Sequence, residues 1–220
     1  MTESTTPAVK RKALSLDALL PSRGEMTGKI LATYSRATEE QMLDGKSWYP
    51  TAHHLAVRLD PENPWRAAGV VSALSPQMDW DRNMFLAERT YAEGLAYGCL
   101  GASCRKANEI YNGTGQQDDV LAVLGGRKTV AFAIAIMEPD HATNVVVDRH
   151  AVSIALGRTS DDSDVATLNR KGGYDWYADA YRAAAEIAGV APNVMQAVTW
   201  TVWRETEIRT AAAVRKAAGR

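Results

Sequence analysis

The chain has 220 residues, 46% hydrophobic and 23% charged, with a formal net charge of -1. This is an ordinary globular balance, long enough for one domain or one bilobed domain. It excludes a protein coated in positive charge but allows a local basic face, so the total neither demands nor forbids nucleic-acid binding.

In chain order, residues 1–12 are polar and basic, with nothing to bury, and read as disordered; they hold no signal-peptide core. "LSLDALLP" suggests a short docking helix that Pro21 ends, so residues 1–23 form a disordered or loosely docked segment. From Gly24 to Leu43, Ile30, Leu31 and Tyr34 recur at helical spacing. Pro50 suits the first turn of a helix running to about Leu59. "WRAAGVVSALSP" predicts a dense apolar helix, and Asp79–Gly98 a long amphipathic one with acidic residues at its start. Cys99 and Cys104 match no metal-ligand spacing, and the expectation is two reduced thiols in a cytoplasmic protein. Further helices are predicted over Ser103–Gly113 and Asp118–Gly126, then from Arg127 onward. "NVVV" alone has strand character, "TSDDSD" reads as a loop, and two more helices occupy Gly173–Gly189 and the stretch after Pro192. The expectation is an all-α protein of nine or ten helices, with no membrane span and no metal or cofactor.

Two places invite chemistry. Gly125-Gly126 allow a tight turn with positive φ before a helix that opens on Arg127, Lys128 and Thr129. Free N–H groups at that helix start, beside two cations, suit one phosphate of a nucleic-acid backbone; the same residues also make an ordinary interhelical turn. Asp148 follows the valine run. It is either a helix N-cap or a carboxylate facing a cleft, able to stabilise a cationic sugar or activate a water.

"LGGRKTVAFAIAI…NVVVDRHAVSIALGR" resembles the central motif of helix-hairpin-helix DNA glycosylases of the endonuclease III class. Lys128 matches that family's catalytic lysine, Asp148 its aspartate, and His150 the histidine of its Val-Asp-x-His tetrad. "NPWRAAGVVSALSPQMDWDRN" resembles the family's early helix and turn, where Ser75, Gln77, Asp79 and Asn83 fall on the pattern. The hairpin here is two residues shorter than the family's and lacks its proline. No cysteine quartet follows for an iron–sulfur cluster.

The resemblance implies a two-lobed fold with a cleft between lobes, residues 63–158 forming its central helices and flanking helices up to residue 220 its second lobe. It implies a monomer that takes DNA as partner and acts on an extruded base. Lys128 would attack the sugar C1′ as a free amine, a form favoured by burial or by the charge of Arg127 or Arg149. Asp148 would assist departure of the base, or activate a water if Lys128 points away. Gln77 would fill the gap left by the base. Gly125, Gly126, Arg127, Thr129 and Arg149 would hold DNA. Tyr49, Trp80, His150 and either His53 or His54, with His53 the candidate, would line the base pocket. Gln196 and Arg204 would face the cleft, whereas Trp176, Trp200 and Trp203 read as core. Two alternatives share the scaffold. One is a bacteriophage-type enzyme that joins an amino acid or polyamine to activated hydroxymethyl-uracil in DNA, with the sugar bond intact. The other is a non-catalytic DNA-binding module.

Overall fold

The structure, a computed structural model, describes residues 15–217, without the side chains of 207–209 and 211–217. The disordered stretch expected over residues 1–12 lies outside the described residues. The protein is all-α. Its helices are α1 (Leu16–Leu19), α2 (Arg23–Tyr34), α3 (Glu39–Leu59), α4 (Pro64–Leu74), α5 (Trp80–Glu93), α6 (Gly101–Asn112), α7 (Gln117–Leu124), α8 (Arg127–Met137), α9 (Arg149–Leu156), α10 (Asp162–Ala166), α11 (Gly173–Ala188) and α12 (Pro192–Ala217). A 3-10 turn (Thr167–Asn169) follows α10. Among the described residues, no helix is long and apolar enough to cross a membrane.

Three boundaries differ from the sequence reading. The pattern over Gly24–Leu43 is broken between α2 and α3, because Thr38 starts a new helix through a capping box with Gln41. Pro50 therefore lies inside α3 rather than in a first turn. "TSDDSD" holds the short α10, which Asp161 caps through the backbone N–H of Asp164.

The valine run is extended but pairs with no second strand among the described residues. A lone strand leaves its amide groups unsatisfied. Here the Tyr174 hydroxyl donates to the Val145 carbonyl at 2.9 Å and accepts from the Val147 N–H at 3.0 Å, fixing the segment just before Asp148.

Helix α4 is the central post. Residues Ala67 to Leu74 are all buried, so it is apolar around its circumference and packs against α3, α5, α6, α7 and α8. Helix α12 packs on α2, α3, α9 and α11. Most of the buried apolar side chains join one core. Helices α3 and α12 meet at Gly45, where a Cβ would stand 2.5 Å from Val198 Cα; only a glycine permits this approach. Close to this contact, the two helices carry Trp48 and Trp200, whose rings lie 4.8 Å apart.

Cys99 and Cys104 form a disulfide, contrary to the reduced thiols expected. Cys99 precedes α6 and Cys104 lies in its first turn, so the start of the helix supplies the reversal that a five-residue separation needs. Their Cα atoms are 5.8 Å apart, inside the usual range for a bridge.

Candidate functional site

Lys128 and Phe132 stand one turn apart on α8 and so share a face. That face, with Trp48 and Tyr49 of α3, Trp80 and Asn83 of α5, and Gln196 and Trp200 of α12, walls a cavity of about 110 Å³. Asp148 and Val146 complete it from the extended segment. The side chains of Lys128 and Asp148 thus meet at one cavity, each half-buried.

Both also line a second, wider cavity of about 620 Å³, with Arg127, Arg149, Lys171 and Tyr174. Lys128 and Asp148 therefore stand where an aromatic pocket meets a cationic groove. A third cavity of about 420 Å³ lies beyond Trp48, Trp80 and Trp200 and includes Asp44, Glu205 and Arg204.

Asp148 is the N-cap of α9, and its Oδ1 accepts from the Ala151 N–H at 2.8 Å. The cap and cavity roles coexist, because one carboxylate oxygen satisfies the helix while the group still lines the pocket. Lys128 pairs with no carboxylate among the described residues.

Its basic neighbours are engaged. Arg127 makes a two-point bond to Asp175, at 2.9 and 2.5 Å, and lies over the Tyr174 ring. Arg149 bonds Asp162 at 2.7 Å. Arg127 and Arg149, the two cations beside Lys128, are thus each paired with a carboxylate. The Arg127 guanidinium in turn holds Asp175 below the usual carboxylate range.

Tyr49 is buried, and its hydroxyl donates to Gln196 Oε1 at 2.7 Å. Burial first, then the charge of Asp148, pushes its pKa well up, so it stays a neutral donor. Burial also pushes Tyr174 up to about 12.

At the hairpin, Gly125 has a φ of 60°, no side chain caps α8, and Gly126 to Thr129 line the cationic groove. The Thr129 hydroxyl itself donates to the Gly126 carbonyl at 2.9 Å. Gln77 sits exposed in the turn between α4 and α5, with a φ of 58°. It is the one described non-glycine residue with positive φ, a conformation costing about 1 kcal/mol.

Several expected pocket residues lie elsewhere. His53 Nδ1 is 3.1 Å from the Ile136 carbonyl and joins α3 to the end of α8, outside the aromatic cavity. His150, one residue into α9, lines neither this cavity nor the groove. Trp200, expected in the core, faces the aromatic and third cavities, and Arg204 stacks over its ring at 4.6 Å. Trp176 and Trp203 do pack on the core. Trp48, Met78 and Phe132 are lining residues that the sequence reading did not single out. The spacing of Phe132 from Lys128 was the available signal.

The chain belongs to a family described as "Family of unknown function (DUF7178)", whose model matches residues 16–207. Comparison with curated proteins and with solved structures gave no match.

Proposed function

We propose that this protein acts on a base of DNA everted into the aromatic cavity, and that it cleaves the N-glycosidic bond. The observation that carries the reading is the meeting of Lys128 and Asp148 at an aromatic pocket beside a cationic groove. An everted nucleotide needs a dry slot for its base, a reactive group at its sugar and cations for its phosphates. The three requirements are adjacent here.

In this reading Lys128 Nζ, as the free amine, bonds to C1′ while the C1′–N bond breaks. The electron pair leaves with the base, which takes up a proton. Loss of the amine proton and opening of the sugar give a Schiff base between C1′ and Nζ. Water returns the amine, or elimination of the 3′ phosphate cuts the strand first. Asp148 stabilises the positive charge that develops on the sugar. Gln77, held outward in the turn, fills the space left in the duplex. DNA is the partner, taken by a monomer.

A second reading keeps the sugar bond and modifies the base. It is favoured by the third cavity, where Asp44, Glu205 and Arg204 offer room for a charged co-substrate across the tryptophans.

The test is mass spectrometry of DNA carrying a panel of damaged and modified bases after incubation with the protein. The expected products are a free base and an abasic or cut strand, absent with Lys128→Ala. Altered bases on intact sugars would replace the first reading by the second. DNA binding without any turnover would leave a non-catalytic module.

A further inference from the structure

Arg82, Phe85 and Arg89 follow one another on α5 at steps of three and four residues, so they share one stripe. The stripe is turned away from the buried Asn83, Leu86, Ala87 and Thr90, and so from the aromatic cavity that Trp80 and Asn83 line. Gly94, with a φ of 75°, ends the helix, and the chain returns so that Tyr97 and Gly98 meet the stripe. Guanidinium and ring alternate there. Arg82 and Arg89 stand 5.2 and 5.5 Å from the centre of the Phe85 ring, and Arg89 lies 3.6 Å over the Tyr97 ring.

Both guanidiniums reach the same point. A Cβ on Gly98 would stand 3.1 Å from a terminal nitrogen of Arg89 and 3.8 Å from one of Arg82. Gly98 is exposed and has a φ of 75°, so it leaves to solvent the space that a side chain would fill beside two cations. Like charges at one place repel, and a carboxylate between them would relieve this. None pairs with Arg82 or Arg89 among the described residues; Glu88 pairs with Arg58, and Glu93 accepts from the Tyr97 hydroxyl at 2.8 Å. The loop is held in place. Arg89 donates to the Tyr97 carbonyl, and the Asn108 side chain accepts from the Ala96 N–H at 2.7 Å and donates to the Ala96 carbonyl at 3.0 Å. The Cys99–Cys104 disulfide ties the residue after Gly98 to α6.

Two guanidinium forks suit the oxygens of a phosphate. Phe85, 49% exposed, and Tyr97, 44% exposed, add ring surface on which a base can stack. We infer that Arg82, Arg89 and Gly98 form a phosphate site on the outer side of α5, and that the phosphate it takes carries a nucleoside. A free nucleotide and a strand of DNA both present that group. The strand source rests on the reading that this protein acts on DNA; the site itself does not.

The experiment is a nuclear magnetic resonance titration of the full chain, read at the backbone amides of Tyr97 and Gly98. The probes are inorganic phosphate, thymidine 5′-monophosphate and an unmodified single strand of twelve thymidylates. The monophosphate should shift both signals saturably, and inorganic phosphate should need several-fold higher concentration, because it brings no base. Arg82→Gln should weaken the monophosphate about 10-fold or more, the worth of one charge-assisted hydrogen bond, and Arg82→Lys should fall between, since it keeps the charge without the fork. Arg36→Gln, which removes the same charge from an exposed position after α2, should change nothing. A response to the twelve-residue strand that Arg82→Gln also weakens gives the site to DNA. A response to the monophosphate with none to the strand gives it to a free nucleotide.

Signals unmoved by all three probes, or moved equally in Arg82→Gln and the wild type, would overturn the site. Equal affinity for inorganic phosphate and the monophosphate would overturn the nucleoside part. Base release from DNA beside a silent Gly98 would leave the functional reading standing without this site. An Arg82-dependent response without base release would leave the site standing without that reading.

Discussion

Replacing Gly45 by alanine tests whether the α3–α12 contact shapes the cavity. The added Cβ would stand 2.5 Å from Val198 Cα and 2.7 Å from Val198 N, both backbone atoms that no rotamer change can move. Carbon atoms rest at about 3.5–4.0 Å, so the two helices must part by about 1 Å. Overpacking of this kind costs about 1–3 kcal/mol, occasionally more. Alanine returns about 1 kcal/mol through helix propensity, leaving a net loss of up to about 2 kcal/mol. At about 2–4 °C per kcal/mol for a chain of this size, Tm should fall by up to about 8 °C. Gly28→Ala on α2 is the control, because nothing lies within 4 Å of its added Cβ. It should raise Tm by about 2–4 °C from propensity alone. Parting α3 from α12 also separates Trp48 and Tyr49 from Gln196 and Trp200, so acrylamide should quench the Gly45→Ala tryptophans more strongly than the wild type's. Differential scanning calorimetry and quenching measure both effects. A Gly45→Ala protein as stable as Gly28→Ala, with unchanged quenching, would refute the packing argument.

Asp148→Asn should leave Tm within about 2 °C, since asparagine caps a helix as well as aspartate does, while base release is lost; Asp148→Ala should cost about 1 kcal/mol in addition. Thermal stability should be flat from pH 7 to about pH 5 and fall below about pH 4. Arg158 holds Asp164 low and Arg127 holds Asp175 low, so their contribution is present above the unfolded aspartate value, near 3.9, and drains as pH falls through the depressed folded values. The Asp164→Asn, Asp175→Asn double variant should show a shallower acid limb, followed by circular dichroism. Reducing the Cys99–Cys104 bridge should lower Tm by several degrees, since releasing so short a loop costs about 2 kcal/mol, and intact mass without reductant should read two hydrogens lighter than the dithiol.

Much of the fold is legible locally. Proline near the start of α4, the aspartate cap of α5 and the glycines ending α5, α9 and α11 mark boundaries through chemistry confined to a few residues. The α2–α3 break was harder to see, because apolar spacing continues across Thr38 while the capping box that interrupts it is polar. Lys128, Asp148, Tyr49 and Trp80 could be placed by motif and spacing. The orientation of His53 could not, because its partner is a backbone carbonyl 83 residues away. Trp200 misled for a related reason. Its apolar neighbours in sequence belong to the core, but its own ring turns toward Trp48 on another helix. The pairing of Arg127 with Asp175 and of Arg149 with Asp162 likewise depends on which helices become neighbours, and it changes the electrostatics of the groove.

Sodium borohydride tests for the covalent bond proposed between Lys128 and the sugar. Hydride reduces a Schiff base to a stable amine, so a protein caught in turnover stays joined to its DNA strand. With a modified-base duplex as substrate, a cross-linked species should form whose peptide map places the sugar remnant on Lys128, and no such species should form with Lys128→Ala. Base release that persists in Lys128→Ala, with no adduct in the wild type, would contradict it.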